Sequence, residues 1–285
     1  MTDRFQTELQ LSKQSLAIIQ QKKSLLIFPI AHVVINLLLL ATVLAPLITL
    51  EKTAWEIGKI SEKSYFIFFM IVLLYFAVTN LITLIFNAAL SFCAIQHIQN
   101  KPYTIGGGLK TALSRVATLY CWKVLMVTFG AYVRFSEYWL DDWPTSSTAT
   151  NVLCGVRWRI AVLFIVPVLI IENLGPWNAV KRSAQLLKNT WGTSLIYRAR
   201  ANMIVFIISL IALLPFFIGL FVGHETAITL GTSVSAVLLI IITVFHSATQ
   251  IILVSALYLF ANGVDASRYY DTALLKEAFR SMGKK

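Results

Sequence analysis

Several side chains that could carry a proton or bind a polar ligand lie inside long apolar runs. In one run Asn80 and Asn87 are seven residues apart, so they share one face of a helix. In another, His246 and Gln250 are one helical turn apart, and the charge of a histidine can change near neutral pH. If these runs cross a membrane, such groups mark a polar cleft or pathway for a substrate or lipid head group. The simpler interpretation, which we prefer, is that they hold helices together through hydrogen bonds worth about 0.6 kcal/mol each.

Glu172 is the other candidate for acid–base chemistry, and it stands where a long apolar run ends. Gly175 then predicts a turn, and Pro176 suits the first position of a helix, where its missing N–H costs nothing. A carboxylate is favoured near the positive end of a helix, and Lys181, Arg182 or Arg198 is close enough in sequence to pair with it. This structural role is the one we expect. The alternative is an acid that couples protons or binds a cationic group.

The helix that begins at Pro176 should end near Trp191, and residues 176–191 are called the hub helix below. Its small and apolar side consists of Val180, Ser183, Ala184, Leu187 and Trp191. Its basic and polar side consists of Lys181, Arg182, Gln185, Lys188 and Asn189. A basic amphipathic helix between two apolar runs typically lies along a membrane surface. We therefore expect its apolar side to face lipid and its cations to bind anionic lipid head groups at the cytoplasmic face.

The composition is that of a membrane protein. Hydrophobic residues make up 58% of the chain and charged residues only 13%, against about half and a quarter in soluble domains. Several apolar runs reach the roughly 20 residues that a helix needs to cross a bilayer. We predict an all-α polytopic membrane protein with amphipathic interfacial helices. Its six transmembrane helices are expected near residues 25–50, 65–92, 116–135, 152–171, 201–222 and 227–261.

The charges predict how the chain is organised across the membrane. Residues 1–24 form an amphipathic N-terminal segment, residues 25–262 the six-helix domain with the hub helix, and residues 263–285 a basic tail. Of the 24 Lys and Arg residues, 17 fall on one side of this arrangement and 6 on the other, with Lys123 unassigned. Because cytoplasmic loops are rich in Lys and Arg, both termini and the hub helix are expected in the cytoplasm.

Several classes of function have little support in the sequence. The net charge of +11 resides mainly in segments between apolar runs, so we expect no nucleic-acid partner. The histidines are scattered, the three cysteines have no CxxC spacing, and H-E-x-x-H and G-x-S-x-G are absent, so we expect no enzyme, metal or cofactor. The glycines at 106–108 lack the rest of a phosphate-binding loop and predict a flexible hinge. The expected partners are the lipid bilayer and either a membrane protein or a second copy of the chain.

One pattern around the hub helix resembles a known family. It consists of Pro167, Glu172, Gly175, Pro176, Ala179, Ser183, Leu186, Trp191 and Gly192. These residues resemble the signature of a family of uncharacterised bacterial multi-span membrane proteins. More loosely, the pattern is similar to the membrane portion fused to some glycerophosphodiester phosphodiesterases. The resemblance implies a bacterial inner membrane and a six-helix fold. It carries over no phosphodiesterase activity, because the catalytic domain is missing from this sequence.

The hypothesis that these observations favour is a non-enzymatic inner-membrane protein. Its hub helix would bind a partner or organise the membrane. The alternative is a small transporter or lipid-handling protein that uses the polar faces of the second and sixth spans. A membrane enzyme that acts on lipid is the third possibility, and it would need titratable groups clustered in one pocket.

Overall fold

The computed structural model describes residues 2–57, 62–139, 162–191 and 201–277, and within these ranges the chain is helical with no β-strand. The helices are α1 Thr2–Gln21, α2 Ile27–Ile57, α3 Glu62–Ile98, α4 Ile105–Ser114, α5 Val116–Trp139, α6 Ile165–Ile171, α7 Pro176–Trp191, α8 Ala201–Ala212, α9 Leu214–Val222, α10 Glu225–Ala261 and α11 Thr272–Glu277. A short 3₁₀ helix, Lys23–Leu26, joins α1 to α2.

In the part of the chain that the structure describes, four stretches are long and apolar enough to cross a membrane: Lys23–Ala45, Phe66–Ile98, Val205–Val222 and Glu225–Ala261. They confirm an all-α polytopic membrane protein and match the first, second, fifth and sixth predicted spans. The third predicted span corresponds to α5, whose apolar stretch Val116–Thr128 is shorter. The fourth, 152–171, lies mostly outside the described residues, and only its last part is seen as α6.

The long helices bury their side chains at one end of the bundle. This packed end is where α2 begins and where α3 and α10 end, and it buries Phe28, Ala89 and Ala256. Towards the other end, large apolar side chains such as Leu38 and Phe69 are exposed, as expected of a surface that faces lipid. Both terminal segments also lie at the packed end, since α1 and α10 pack together and α11 packs against α1.

The N-terminal amphipathic helix is confirmed as α1. Its buried side chains include Leu11, Ser15, Ile18 and Ile19. The Ser15 hydroxyl lies 2.6 Å from the hydroxyl of the buried Tyr270, just before α11. The two ends of the chain therefore meet through a hydrogen bond between buried groups.

The glycines at 106–108 begin a helix, so the prediction of a flexible hinge is wrong. The Thr104 hydroxyl accepts a hydrogen bond from the N–H of Gly107 at 3.0 Å and so caps α4. Gly108 is buried against Ala89 and Cys93 of α3, and a Cβ at this position would collide with the Cys93 sulfur. The small residue therefore permits close packing between two helices.

The fifth span is broken between α8 and α9. Pro215 has no N–H and cannot continue the hydrogen-bond ladder of α8. The neighbouring N–H of Phe216 instead donates to the hydroxyl of Ser235, on α10, at 3.1 Å. A Cβ at Gly231 would collide with the Pro215 carbonyl, so α9 and α10 pack with their backbones close together. This hairpin turns at Gly223, whose φ of +72° places it in the left-handed region.

Candidate functional site

The Glu172 carboxylate lies where α6, α7 and α10 meet. Arg182 of α7 donates from Nε to Oε2 of Glu172 at 2.9 Å. Tyr258 of α10 donates from its hydroxyl to Oε1 at 3.0 Å. Both carboxylate oxygens therefore accept a hydrogen bond, each from a different helix.

Asn262 completes this arrangement. Its Oδ1 accepts a hydrogen bond from the Arg182 guanidinium at 3.0 Å, and its Nδ2 donates to the Tyr258 carbonyl at 3.0 Å. Glu172, Arg182, Tyr258 and Asn262 are called the Glu172 network below. The Arg182 and Glu172 side chains remain 38% and 22% exposed, so solvent screens the ion pair, which contributes at most about 1 kcal/mol.

The turn before the hub helix differs in detail from the prediction. Its left-handed residue is Asn173, with φ of 55°, whereas Gly175 was expected to provide the turn. Asparagine tolerates this conformation because its short polar side chain bonds locally. Pro176 is the first residue of α7, as predicted, and the described part of the helix reaches Trp191. Gly192 lies outside the described residues.

The small and apolar side of the hub helix packs on protein, so the expectation that it faces lipid is not what the structure shows. Its buried residues are Ala179, Val180, Ser183, Leu186 and Leu187. The Ser183 hydroxyl accepts a hydrogen bond from the N–H of Phe164 at 3.1 Å, at the start of α6. Trp191 donates from Nε1 to the Leu275 carbonyl of α11 at 3.1 Å. Neighbouring helices therefore fix the hub helix on this side.

On the basic and polar side of the hub helix, Arg182 belongs to the Glu172 network, and the neighbouring side chains face outward. Lys181, Gln185 and Lys188 are exposed. Trp177, in the first turn, is 65% exposed and lies close in sequence to the exposed Ile171. Cations beside an exposed tryptophan are typical of a surface at the membrane–water interface. The hub helix is thus fixed on one side and presents a basic surface with an aromatic residue on the other.

Comparison with known proteins assigns the chain to a family. The model of the Family of unknown function (DUF6159) matches residues 66–268, which is more than half of the chain. The protein belongs to the DUF6159 family. The search of curated proteins and the search of solved structures each found no match. The DUF6159 match includes the whole Glu172 network and the hub helix, and it excludes α1, α2 and α11.

The polar residues of the second and sixth spans also lie within the DUF6159 match, but they do not all face one another. Asn80 is exposed and donates to the Phe76 carbonyl of its own helix at 2.8 Å. Asn87, His246 and Gln250 are partly buried. The exposure of Asn80 shows that it is not enclosed between helices, and the meeting of Asn87 with His246 and Gln250 stays a prediction.

Hydrogen bonds between polar side chains also join α2 to α3 and α3 to α10. His32 of α2 lies 2.8 Å from the Thr83 hydroxyl of α3, measured from Nε2. Ser91 of α3 and Ser255 of α10 lie 2.9 Å apart, measured between their hydroxyls. Both pairs are hydrogen bonds of the kind that holds membrane helices together, and neither involves Asn80, Asn87, His246 or Gln250. Only the second pair lies wholly inside the region shared with the DUF6159 family.

Sequence reasoning missed three residues that complete these contacts: Ser255, Tyr258 and Asn262. Their spacing of three and four residues near the end of an apolar run was a signal that they share one side of a helix. Among the described residues, no group of three or more His, Cys, Asp or Glu side chains is placed to hold a metal ion. The hydrogen bonds of the Glu172 network make the site a polar junction between α6, α7 and α10.

Proposed function

We propose that this DUF6159 protein is a non-enzymatic inner-membrane protein that organises lipid. Its hub helix would bind anionic lipid head groups at the cytoplasmic face. The observation that carries the proposal is that one side of the hub helix is fixed by protein while Lys181, Gln185 and Lys188 stay exposed on the other. Each cation near an anionic membrane surface contributes about 1 kcal/mol to binding.

Support for the orientation comes from the distribution of cations. Lys13, Lys110, Lys181 and Lys276 are all exposed and belong to four different helices of the packed end. An excess of Lys and Arg marks the cytoplasmic side of a membrane protein. A chain with six membrane spans has both termini on the same side of the membrane. This agrees with the position of α1 and α11, which both lie at the packed end.

Support for a non-enzymatic role comes from the state of Glu172. A carboxylate that binds donors from two other helices is well suited to joining those helices. Here Arg182 donates to one oxygen of Glu172 and Tyr258 donates to the other. The carboxylate therefore serves to position the hub helix, which keeps the basic surface in one orientation.

The experiment measures which lipids surround the purified protein in nanodiscs made of phosphatidylglycerol and phosphatidylcholine. Quenching of Trp177 by brominated phosphatidylglycerol, taken as the difference from Trp177→Phe, reports the lipid beside the hub helix. We expect the anionic lipid to be enriched there, and Lys181→Glu with Lys188→Glu to abolish the enrichment. Lys13→Glu with Lys276→Glu makes the same change in charge elsewhere at the packed end and should leave it intact.

Two results would overturn the proposal. One is equal quenching by the two lipids in the wild-type protein. The other is an equal effect of the two double variants, which would assign the preference to net charge alone. A protein partner lost only with Lys181→Glu and Lys188→Glu, in the absence of any lipid preference, would identify the surface as a protein-binding one instead.

A further inference from the structure

Helix α10 carries a stripe of uncharged polar side chains along its length. The polar stripe consists of Thr229, Ser233, Thr243, Ser247 and Gln250. These residues belong to a single repeat, in which steps of four and three residues alternate from Thr229 onwards. Because such steps add up to almost two turns of a helix every seven residues, all five lie on one side. The two remaining positions of the repeat are filled by Ala236, which is small, and Ile240, which is apolar.

The polar stripe points away from the neighbour that packs most closely on α10. Gly231 and Ser235 face α9, where they contact the backbone around Pro215. Thr229 is two residues from Gly231, which turns it about 200° around the helix. Thr229, Ser233 and Thr243 are accordingly exposed, as is Ala236 between them, and Ser247 and Gln250 are only partly buried.

The polar groups of the stripe retain the ability to bond another helix. The hydroxyl of Thr229 donates to the Glu225 carbonyl at 2.9 Å, and that of Thr243 donates to the Leu239 carbonyl at 2.8 Å, so both oxygens can still accept. The Gln250 amide makes no hydrogen bond to any residue in the part of the chain that the structure describes. In hydrocarbon, which offers no partners, such an amide favours association with a second polar helix.

We propose that the polar stripe is the surface through which two copies of this protein associate in the membrane. Copies that share one orientation bring their α10 helices together in parallel, so a two-fold axis sets each residue opposite its counterpart. The stripe is suited to this because it carries no charge and because amides and hydroxyls both donate and accept. Ala236, at its middle, allows the two backbones to approach closely. Gln250 of one copy then bonds Gln250 of the other.

The spacing and the length of the stripe fit a helix pair. A seven-residue repeat keeps one side of each helix facing the other in a left-handed pair, which is the common crossing in membranes. From Thr229 to Gln250 the helix rises about 32 Å, which is the thickness of the hydrocarbon core. A second copy of the chain carries the same seven-residue repeat at the same depth in the membrane. An unrelated partner would need a helix with the same repeat and the same position in the bilayer.

Cysteine cross-linking in native membranes tests the interface. Cys121 and Cys154 are replaced by serine, and Cys93 is kept because it is buried. Cysteines are introduced in the repeat as Ala236→Cys and Thr243→Cys. The matched controls are Val234→Cys and Ile241→Cys, which are exposed at nearly the same depths on another side of α10. After oxidation we expect at least about tenfold more disulfide-linked dimer from the positions in the repeat.

A second measurement uses energy transfer between labelled copies in liposomes as the protein is diluted with lipid. Gln250→Leu should weaken association about three- to tenfold, while Ser114→Ala, on α4, should not change it. Equal cross-linking at repeat and control positions, or no dimer at any position, would overturn the proposal. So would a cross-link from Thr243→Cys to Cys154 of the same chain when Cys154 is retained, because residues of the chain itself would then cover the stripe.

Discussion

The Tyr258 hydroxyl donates a 3.0 Å hydrogen bond to Oε1 of Glu172, which lies 86 residues earlier in the chain. This bond ties the end of α10 to the end of α6. Because Arg182 takes the other carboxylate oxygen, the same carboxylate also holds α7. The position of the hub helix therefore depends on a bond between α6 and α10, which are far apart in sequence.

Removal of the Tyr258 hydroxyl should destabilise the protein. In Tyr258→Phe one oxygen of the partly buried Glu172 carboxylate loses its donor, which we expect to lower the free energy of unfolding by about 1–3 kcal/mol. Thermal unfolding of the purified protein in detergent measures the loss. Tyr120→Phe, at an exposed position of α5, should change it by less than about 0.5 kcal/mol. Equal losses in the two variants would contradict a special role for the Tyr258 bond.

Much of the hub helix was predictable because its signals are local. Pro176 fixes the first turn, and the spacing of Val180, Ser183 and Leu187 defines one side within a few residues. A cationic partner for Glu172 was also expected from sequence, and the structure shows that of the candidates Lys181, Arg182 and Arg198 the partner is Arg182. The same reasoning located four membrane-spanning stretches, since length and hydropathy are also local properties.

The rest depended on contacts between distant residues. The amphipathic pattern of the hub helix shows which side is apolar, but it does not show whether lipid or protein covers that side. In the structure protein covers it, and Trp191 donates a hydrogen bond to the Leu275 carbonyl of α11. The hydrogen bond between Tyr258 and Glu172 could not be predicted from sequence. Periodicity shows which residues share one side of a helix, but it does not show which other helix packs against that side. Asn173 was missed as the left-handed residue because Gly175, two positions later, is the stronger sequence signal.

The two serines that accept backbone N–H groups should each be important for stability. Ser183→Ala leaves the N–H of Phe164 without its acceptor, and Ser235→Ala does the same to Phe216 beside Pro215. An unsatisfied buried donor costs about 1–3 kcal/mol, so both variants should unfold at lower temperature. Ser114→Ala is the control, since that exposed hydroxyl only donates within its own helix. Unchanged unfolding of both core variants would show that these bonds contribute little.

The same substitution should destabilise the protein at one glycine and leave its stability nearly unchanged at another. Gly231→Ala puts a Cβ against the Pro215 carbonyl and should force α9 away from α10, at a cost of about 1–3 kcal/mol. Gly175→Ala meets no heavy atom within 4 Å among the described residues, and its φ is not in the left-handed region. Its stability should stay within about 0.5 kcal/mol of the wild type. A larger loss at Gly175 than at Gly231 would contradict the packing described for the hairpin.

Stability should fall in alkali because of Tyr270, which lies outside the membrane spans. Burial raises the pKa of its phenol well above the ordinary value near 10, and the hydrogen bond with Ser15 opposes this only in part. A group whose pKa is raised on folding stabilises the protein fully below its unfolded pKa and loses this effect as pH rises towards the folded one. The melting temperature should therefore decline above about pH 10.

Tyr270→Phe isolates this contribution. The variant removes the titrating hydroxyl, so the melting temperature should decline less steeply above about pH 10 than in the wild type. At neutral pH the variant should be less stable, because it loses the hydrogen bond with Ser15. Tyr120→Phe, which removes an exposed phenol, should keep the wild-type profile. Melting curves from about pH 8 to about pH 11 give the measurement. A decline of the same slope in Tyr270→Phe and in the wild type would assign alkaline unfolding to other groups, because a deleted phenol cannot release a proton.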